Sequence, residues 1–138
     1  MSEACIFCKI VRKEVPASIV YEDEEVIAFL DIRPVSDGHV LVIPKAHYET
    51  IFDTPEELLA QVYKITKKVA EAVKKGTKAD GISIIQQNGR AADQDIFHLH
   101  VHVIPRAMGQ KLQHFDKLTD TSRDNLDKVA IKIRANLS

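Results

Sequence analysis

Eight residues constrain this chain more than any others: His98-Leu99-His100-Val101-His102-Val103-Ile104-Pro105. Polar and apolar side chains alternate along the stretch, and a period of two marks a β-strand, whose side chains point to opposite faces in turn. The three imidazoles then share one face at intervals of about 6.6 Å. Leu99, Val101 and Val103 take the other face, where they can pack on a core. On a helix the same spacing would scatter the rings, and the β-branched residues and Pro105 oppose a helix. Three of the chain's six histidines fall in five residues. A core position accounts for one such ring but not three, because each needs hydrogen-bond partners that a core face rarely supplies.

The rest of the chain supplies a sheet for that strand and helices to cover it. Cys5–Val11 reads as a short apolar helical segment ended by Pro16. Ile19-Val20-Tyr21 and Val26–Leu30 read as strands joined by the polar turn Glu22-Asp23-Glu24-Glu25. The loop from Asp31 to Gly38 carries proline and Asp-Gly turn signals, and His39–Pro44 is apolar throughout, a strand buried on both faces. Thr54-Pro55-Glu56-Glu57 offers an N-cap threonine and a proline at the first helical position. Leu58, Val62, Ile65, Val69 and Val73 then form one helical stripe, closed by Lys74, Lys75 and Gly76. That stripe reads as core packing, with part of it available to a dimer contact. Gly81–Gln87 is a fourth strand, Asn88-Gly89 a turn, and residues 107–120 a polar surface loop containing a solvated His114. A last helix spans about Thr121 to Leu137. Short strands with segregated helices predict a single α+β domain over residues 1–138, built on an antiparallel sheet.

Charge and composition narrow the function. A formal net charge of −1 argues against bulk nucleic-acid binding, and no apolar run reaches the ~20 residues that cross a bilayer. The N-terminus lacks the basic and apolar regions of a signal peptide, so a cytoplasmic location with reduced cysteines is expected.

On chemistry alone the histidine row has two functional readings. It is a metal cluster, since imidazole suits zinc and its neighbours, or it carries covalent catalysis by one ring oriented by the others. Rings two apart on one strand are a poor tetrahedral cage, and the middle ring, His100, is best placed as nucleophile. Asn88, Gln94 and the loop amides are candidate phosphate contacts. Asp31, at a strand end, suits two ribose hydroxyls, although an aspartate there is more commonly a turn residue. His39 reads as structural. The pair Cys5-x-x-Cys8 has three readings: half a zinc site, a redox pair, or two buried thiols.

The pattern His98–Ile104 resembles the histidine-triad (HIT) motif, and further landmarks follow in order. These are Cys5–Ile10, Asp31-Ile32-Arg33-Pro34, Gly38–His47, Asn88-Gly89 and Pro105-Arg106, so the likeness runs from residue 5 to about 106 and is strongest to the Hint-like branch. The resemblance implies a five-stranded antiparallel sheet with helices packed on it, and sheets joined across a homodimer. It implies a purine nucleotide hydrolase or transferase that cleaves nucleoside 5′-monophosphoramidates of the AMP-NH2 and AMP-lysine type. His100 would attack the α-phosphorus to give a nucleotidyl-histidine, with the catalytic neighbours His98 and His102 flanking it, orienting its ring and contacting phosphate. Ile6, Phe7, Phe29 and Ile32 would border the base, Asp31 would hold the ribose, and Asn88, Gln94 and Asp95 would approach the phosphate. A structural zinc would sit on Cys5, Cys8, His47 and His98, with no catalytic metal required. Asp95 departs from the family, which has a small or apolar residue there; it would either bond a histidine or favour a cationic leaving group. Rival readings are a dinucleoside polyphosphate (Ap4A-type) hydrolase and a zinc-binding nucleotide-sensing module with little turnover.

Overall fold

The computed structural model describes residues 4–111 and 120–138, so His114 and most of the expected 107–120 loop lie outside the described residues. In chain order it contains α1 (Ile6–Val11), β1 (Ile19–Glu22), β2 (Val26–Leu30), β3 (Val40–Pro44), α2 (Glu56–Thr77), β4 (Gly81–Gln86), a 3₁₀ turn (Arg90–Ala92), β5 (Val101–Arg106) and α3 (Arg123–Arg134). The five strands form one antiparallel sheet in the order β1-β2-β3-β5-β4. No helix among the described residues is long and apolar enough to cross a membrane.

Alternation along the strands sorts the core into two layers. Val26, Ala28 and Leu30 of β2, Val40 and Val42 of β3, and Val101 and Val103 of β5 pack with Val62, Ile65, Val69 and Val73 of α2 and Leu126, Ala130 and Ile133 of α3. The intervening residues Ile27, Phe29, Leu41 and Ile43 face the other way and pack with Phe7 and Ile10 of α1. Strands β2 and β3 are therefore buried on both faces, which accounts for their unbroken apolar runs. His102 alternates with Val101 and Val103 and so faces the α1 side of the sheet.

Five expectations need correction. The histidine strand is shorter than the alternation suggests: β5 starts at Val101, leaving His98 and His100 in the segment just before it. Its ladder to β3 stops at Val42 opposite Val101. Pro44, farther along β3, has no N–H to continue it, and Leu99 N donates instead to Tyr48 O at 2.7 Å. Next, Thr54 does not cap α2. Its hydroxyl donates back to Thr50 O at 2.6 Å, and the helix begins after Pro55 with no side-chain cap bond. Nor does Gly76 end α2. The helix runs to Thr77, and Lys78 takes the left-handed conformation at φ 57°. Gly76 is where α3 crosses: a Cβ there would stand 3.0 Å from Lys132 O. Helix α1 likewise ends before Pro16, with Lys13 left-handed at φ 62°. Helix α3 is shorter than expected and is capped by Ser122, which accepts from Asn125 N at 3.1 Å.

Candidate active site and metal centre

A cavity of about 300 Å³ opens on the α1 side of the sheet. Strand register sets its long axis. His102 pairs with Leu41, Leu41 with Phe29, and Phe29 with Ile19, so one row crosses from β5 to β1. His102, Leu41 and Phe29 line the floor, and Ile6, Phe7 and Ile10 of α1 form a wall. Asp31, Ile32, Asp95 and His100 complete the rim. The fold thus brings together all the expected substrate contacts except Asn88 and Gln94.

Those two side chains are engaged elsewhere. Asn88 Oδ1 accepts from Ile51 N at 2.7 Å and from Gln86 Nε2 at 2.8 Å. Gln94 is buried; its Oε1 accepts from Gly89 N at 2.7 Å, and its Nε2 donates to Glu49 O at 2.7 Å and Ile96 O at 3.1 Å. Together they brace the loop whose next residue, Asp95, reaches the cavity. Asp95 Oδ1 stands 3.9 Å from His100 Nε2.

Hydrogen-bond partners dictate the tautomer of each ring, backbone groups for His39, His98 and His100 and the His39 ring for His102. Val35 N–H donates to His39 Nδ1 at 3.0 Å, so a neutral His39 carries its proton on Nε2. That proton is given to His102 Nδ1 at 2.9 Å, which leaves His102 with an Nε2–H. His100 Nδ1 lies 2.7 Å from His98 O, a carbonyl that can only accept, so His100 Nε2 holds a lone pair. His98 Nε2 donates to Pro44 O at 2.8 Å, which frees His98 Nδ1.

Burial keeps these rings neutral. It pushes His39 down to about 3 and His102 and His98 down to about 4, helped by neighbouring histidines. His100 is also lowered by burial, against the opposing pull of its bond to His98 O and of Asp95. Asp31 moves the other way: burial raises it to about 6, Asp95 adds to this, and the bond from Arg33 N at 3.0 Å opposes it. Asp31 Oδ2 is 3.6 Å from His39 Nε2, and since that ring is neutral the approach is a polar contact rather than an ion pair. Asp31 therefore combines the two roles its position suggested, closing a turn with one oxygen and lining the cavity.

Next to this cavity lies the cysteine pair. Cys8 Sγ is 3.2 Å from His47 Nδ1 and 3.6 Å from His98 Nδ1, and Cys5 Sγ is 3.5 Å from His98 Nδ1. All four ligand atoms lie within 4.8 Å of one another. Tetrahedral zinc with N and S ligands wants them roughly 3.3–3.8 Å apart. His98 presents an unprotonated Nδ1 with its other nitrogen fixed by Pro44 O, as a metal-bound histidine requires. The donor set therefore fits zinc. Phe7, between the two cysteines in sequence, sets its ring edge-on to both His98 and His100, at 5.9 and 5.1 Å.

Two contributors escape sequence reasoning. His39 reads as structural, yet it is the ring that orients His102; its place at the head of the apolar run Val40–Pro44, which becomes the strand beside β5, was the available signal. Arg123, from the N-terminus of α3, lines the cavity, and no motif or spacing in the sequence points to it.

The HIT domain family model matches residues 12–109. An uncharacterized HIT-like protein of Methanocaldococcus jannaschii is 45% identical over 94% of this chain and 98% of its own. The adenosine 5′-monophosphoramidase of Saccharomyces cerevisiae is 37% identical over 94% of this chain and 85% of its own. Among solved structures, a Hit-like protein from Bartonella henselae superposes with a TM-score of 0.91 at 44% identity, covering 99% of both chains. A zinc-bound histidine triad protein from Mycobacterium smegmatis gives 0.85 at 40% identity over 96% of this chain and 92% of that one.

Proposed function

The chain belongs to the HIT family, and from that premise we propose that it hydrolyses purine nucleoside 5′-monophosphoramidates through a nucleotidyl-histidine. The observation that carries this reading is the pinned ring of His100. Its Nδ1–H is held by His98 O, so its Nε2 lone pair is the only nucleophilic atom the ring offers to the cavity it shares with Asp31.

In this mechanism the ribose hydroxyls bond Asp31 and the α-phosphate lies over His100 and His102. His100 Nε2 attacks phosphorus, the P–N bond breaks, and its electron pair leaves with the amine, which takes a proton from solvent at the cavity mouth. His102 supports the phosphoryl oxygen as an Nε2–H donor. It is not the proton source, because losing that hydrogen while Nδ1 accepts from His39 would leave an imidazolate. Water then attacks phosphorus, the P–Nε2 bond breaks, and the nucleoside monophosphate departs, with the water's proton passing to solvent.

Zinc on Cys5, Cys8, His47 and His98 has a structural role in this reading, tying α1 to the strand end. Bound there, it would supply a structural crosslink between these side chains and no chemistry at phosphorus. The protein acts in the cytoplasm as a homodimer joined along the edge strand β4, where Ile84 is 44% exposed and Tyr63 of α2 is 38% exposed. Neither nucleic acid nor membrane is a partner.

The deciding experiment sets adenosine 5′-monophosphoramidate beside diadenosine tetraphosphate, with wild-type protein and His100→Ala. Faster turnover of the phosphoramidate, abolished in His100→Ala, supports the proposal. Preference for the polyphosphate makes the protein a dinucleoside polyphosphate hydrolase instead. Binding of AMP without turnover of either makes it a nucleotide-sensing module.

A further inference from the structure

Strand register orders the cavity from one end to the other. Three strand spacings of about 4.8 Å separate His102 on β5 from β1, roughly 14 Å across the floor. With the phosphate at His100 and the ribose at Asp31, as proposed above, the base lies toward the β1 side. The side chains there are hydrocarbon: Ile6, Ile10, Val15, Ala17 and Phe29. They select for a flat apolar face but cannot tell one purine from another.

Arg123 is the exception. Helix α3 starts against this end of the sheet, where Thr121 N donates to Ile32 O at 3.0 Å. One Arg123 nitrogen donates to Ser18 Oγ at 2.7 Å, and the Ser18 hydroxyl donates onward to Asp127 at 2.6 Å. Ser18 is buried, so its oxygen is a fixed acceptor that anchors the guanidinium at the cavity wall. A guanidinium has five N–H donors, and among the described residues Arg123 spends them on no other hydrogen-bond partner. The other cavity arginine, Arg33, is more than half exposed and lies 3.8 Å from Asp120.

We propose that Arg123 reads the base, its guanidinium donating to the O6 and N7 acceptors of a 6-oxopurine, so that the site favours guanine- or hypoxanthine-type nucleotides over adenine ones. The fork of an arginine matches two adjacent acceptors, and O6 with N7 is such a pair. Adenine keeps N7 but replaces O6 with an amino donor, which faces the guanidinium unfavourably. The inference rests on the proposed placement of phosphate and ribose and refines it by naming the base.

Calorimetric affinities for GMP, IMP and AMP test this, together with kcat/KM for guanosine and adenosine 5′-monophosphoramidates. Wild-type protein is expected to prefer both 6-oxopurines by at least about fivefold, the lower end of what one bidentate contact is worth. Arg123→Met should bring the ratio close to one, and IMP should follow GMP because it shares O6 and N7. Arg123→Lys, which keeps the charge and most of the length but has no fork, provides the same readout if the methionine variant folds poorly. Equal affinity for GMP and AMP in the wild type overturns the inference. So does an equal loss for both in the variants, which would assign Arg123 to stacking on the base or to holding Ser18. Failure of every mononucleotide to bind would instead remove the proposed function, and this inference with it.

Discussion

His39 Nε2 stands 2.9 Å from His102 Nδ1, and this bond from the residue preceding β3 to β5 decides which nitrogen of His102 faces the cavity. The ring of His39 is itself fixed by Val35 N–H, so a loop amide sets the proton position two rings away. His39→Ala removes the donor and lets His102 adopt either tautomer. The expected result is a fall in kcat with KM nearly unchanged, comparable with the 10–100-fold losses that follow removal of a partner orienting a metal-bound histidine. Steady-state kinetics check the split, and a lowered melting temperature should accompany the loss of a fully buried ring.

The raised pKa of Asp31 should give nucleoside binding, if it is the ribose contact proposed above, a pH dependence. An ordinary aspartate ionises near 3.8, whereas this one does so near 6. Between those values the folded protein keeps a proton that the unfolded chain has released. Asp31 therefore subtracts from stability as pH rises through that window and subtracts no further above it. Ribose hydroxyls bond best to the ionised form, so affinity should climb as pH rises through about 6 and binding should release a proton. His39 and His102, lowered by burial to about 3 and 4, are already neutral as pH passes through 6. Calorimetry with unphosphorylated guanosine and adenosine, which avoids the phosphate's own titration, measures this, and Asp31→Asn should flatten the profile and weaken binding.

Metal analysis of protein purified without a polyhistidine tag should find about one zinc per chain, as a closed four-ligand site demands. Less than half an equivalent would count against the site. Cys8→Ser should lose the metal, expose the segment around α1 to proteolysis and weaken AMP binding, because α1 carries Ile6, Phe7 and Ile10 of the cavity wall.

Asp95 should set preference for the leaving group. Its carboxylate faces the lone pair of His100 Nε2 across 3.9 Å, with no hydrogen between them. That arrangement repels an anionic leaving group and attracts an ammonium. Asp95→Ser should raise kcat/KM severalfold for diadenosine tetraphosphate and lower it for a lysyl phosphoramidate, more strongly at low salt. Unchanged rates and unchanged preference would leave Asp95 without a part in selectivity.

Much of the fold is legible in the chain. Alternation at His98–Val103 placed the rings opposite Leu99, Val101 and Val103, all fully buried, although hydrogen-bonded strand covers only its second half. The α2 stripe packs on the sheet as its spacing indicates, with Leu58 only partly buried. The misread ends, at Thr54 and Gly76, share a cause. A threonine hydroxyl can bond backward as well as forward, and a glycine can serve helix crossing as well as helix ending. Neither choice is local.

Periodicity by itself determined which face each side chain takes, because that depends only on backbone repeat. It also determined that three imidazoles gather at one place. What two of these imidazoles can do was decided by tertiary structure. Their free nitrogens depend on partners far along the chain, Pro44 O for His98, 54 residues away, and His39 for His102, 63 residues away, whereas His100 is held by His98 O, two residues away. The candidate zinc donors close over a similar distance, with Cys5 and His98 separated by 93 positions. A hydrogen bond needs its donor and acceptor about 3 Å apart and aligned, and for residues so distant in the chain only the folded sheet creates that closeness.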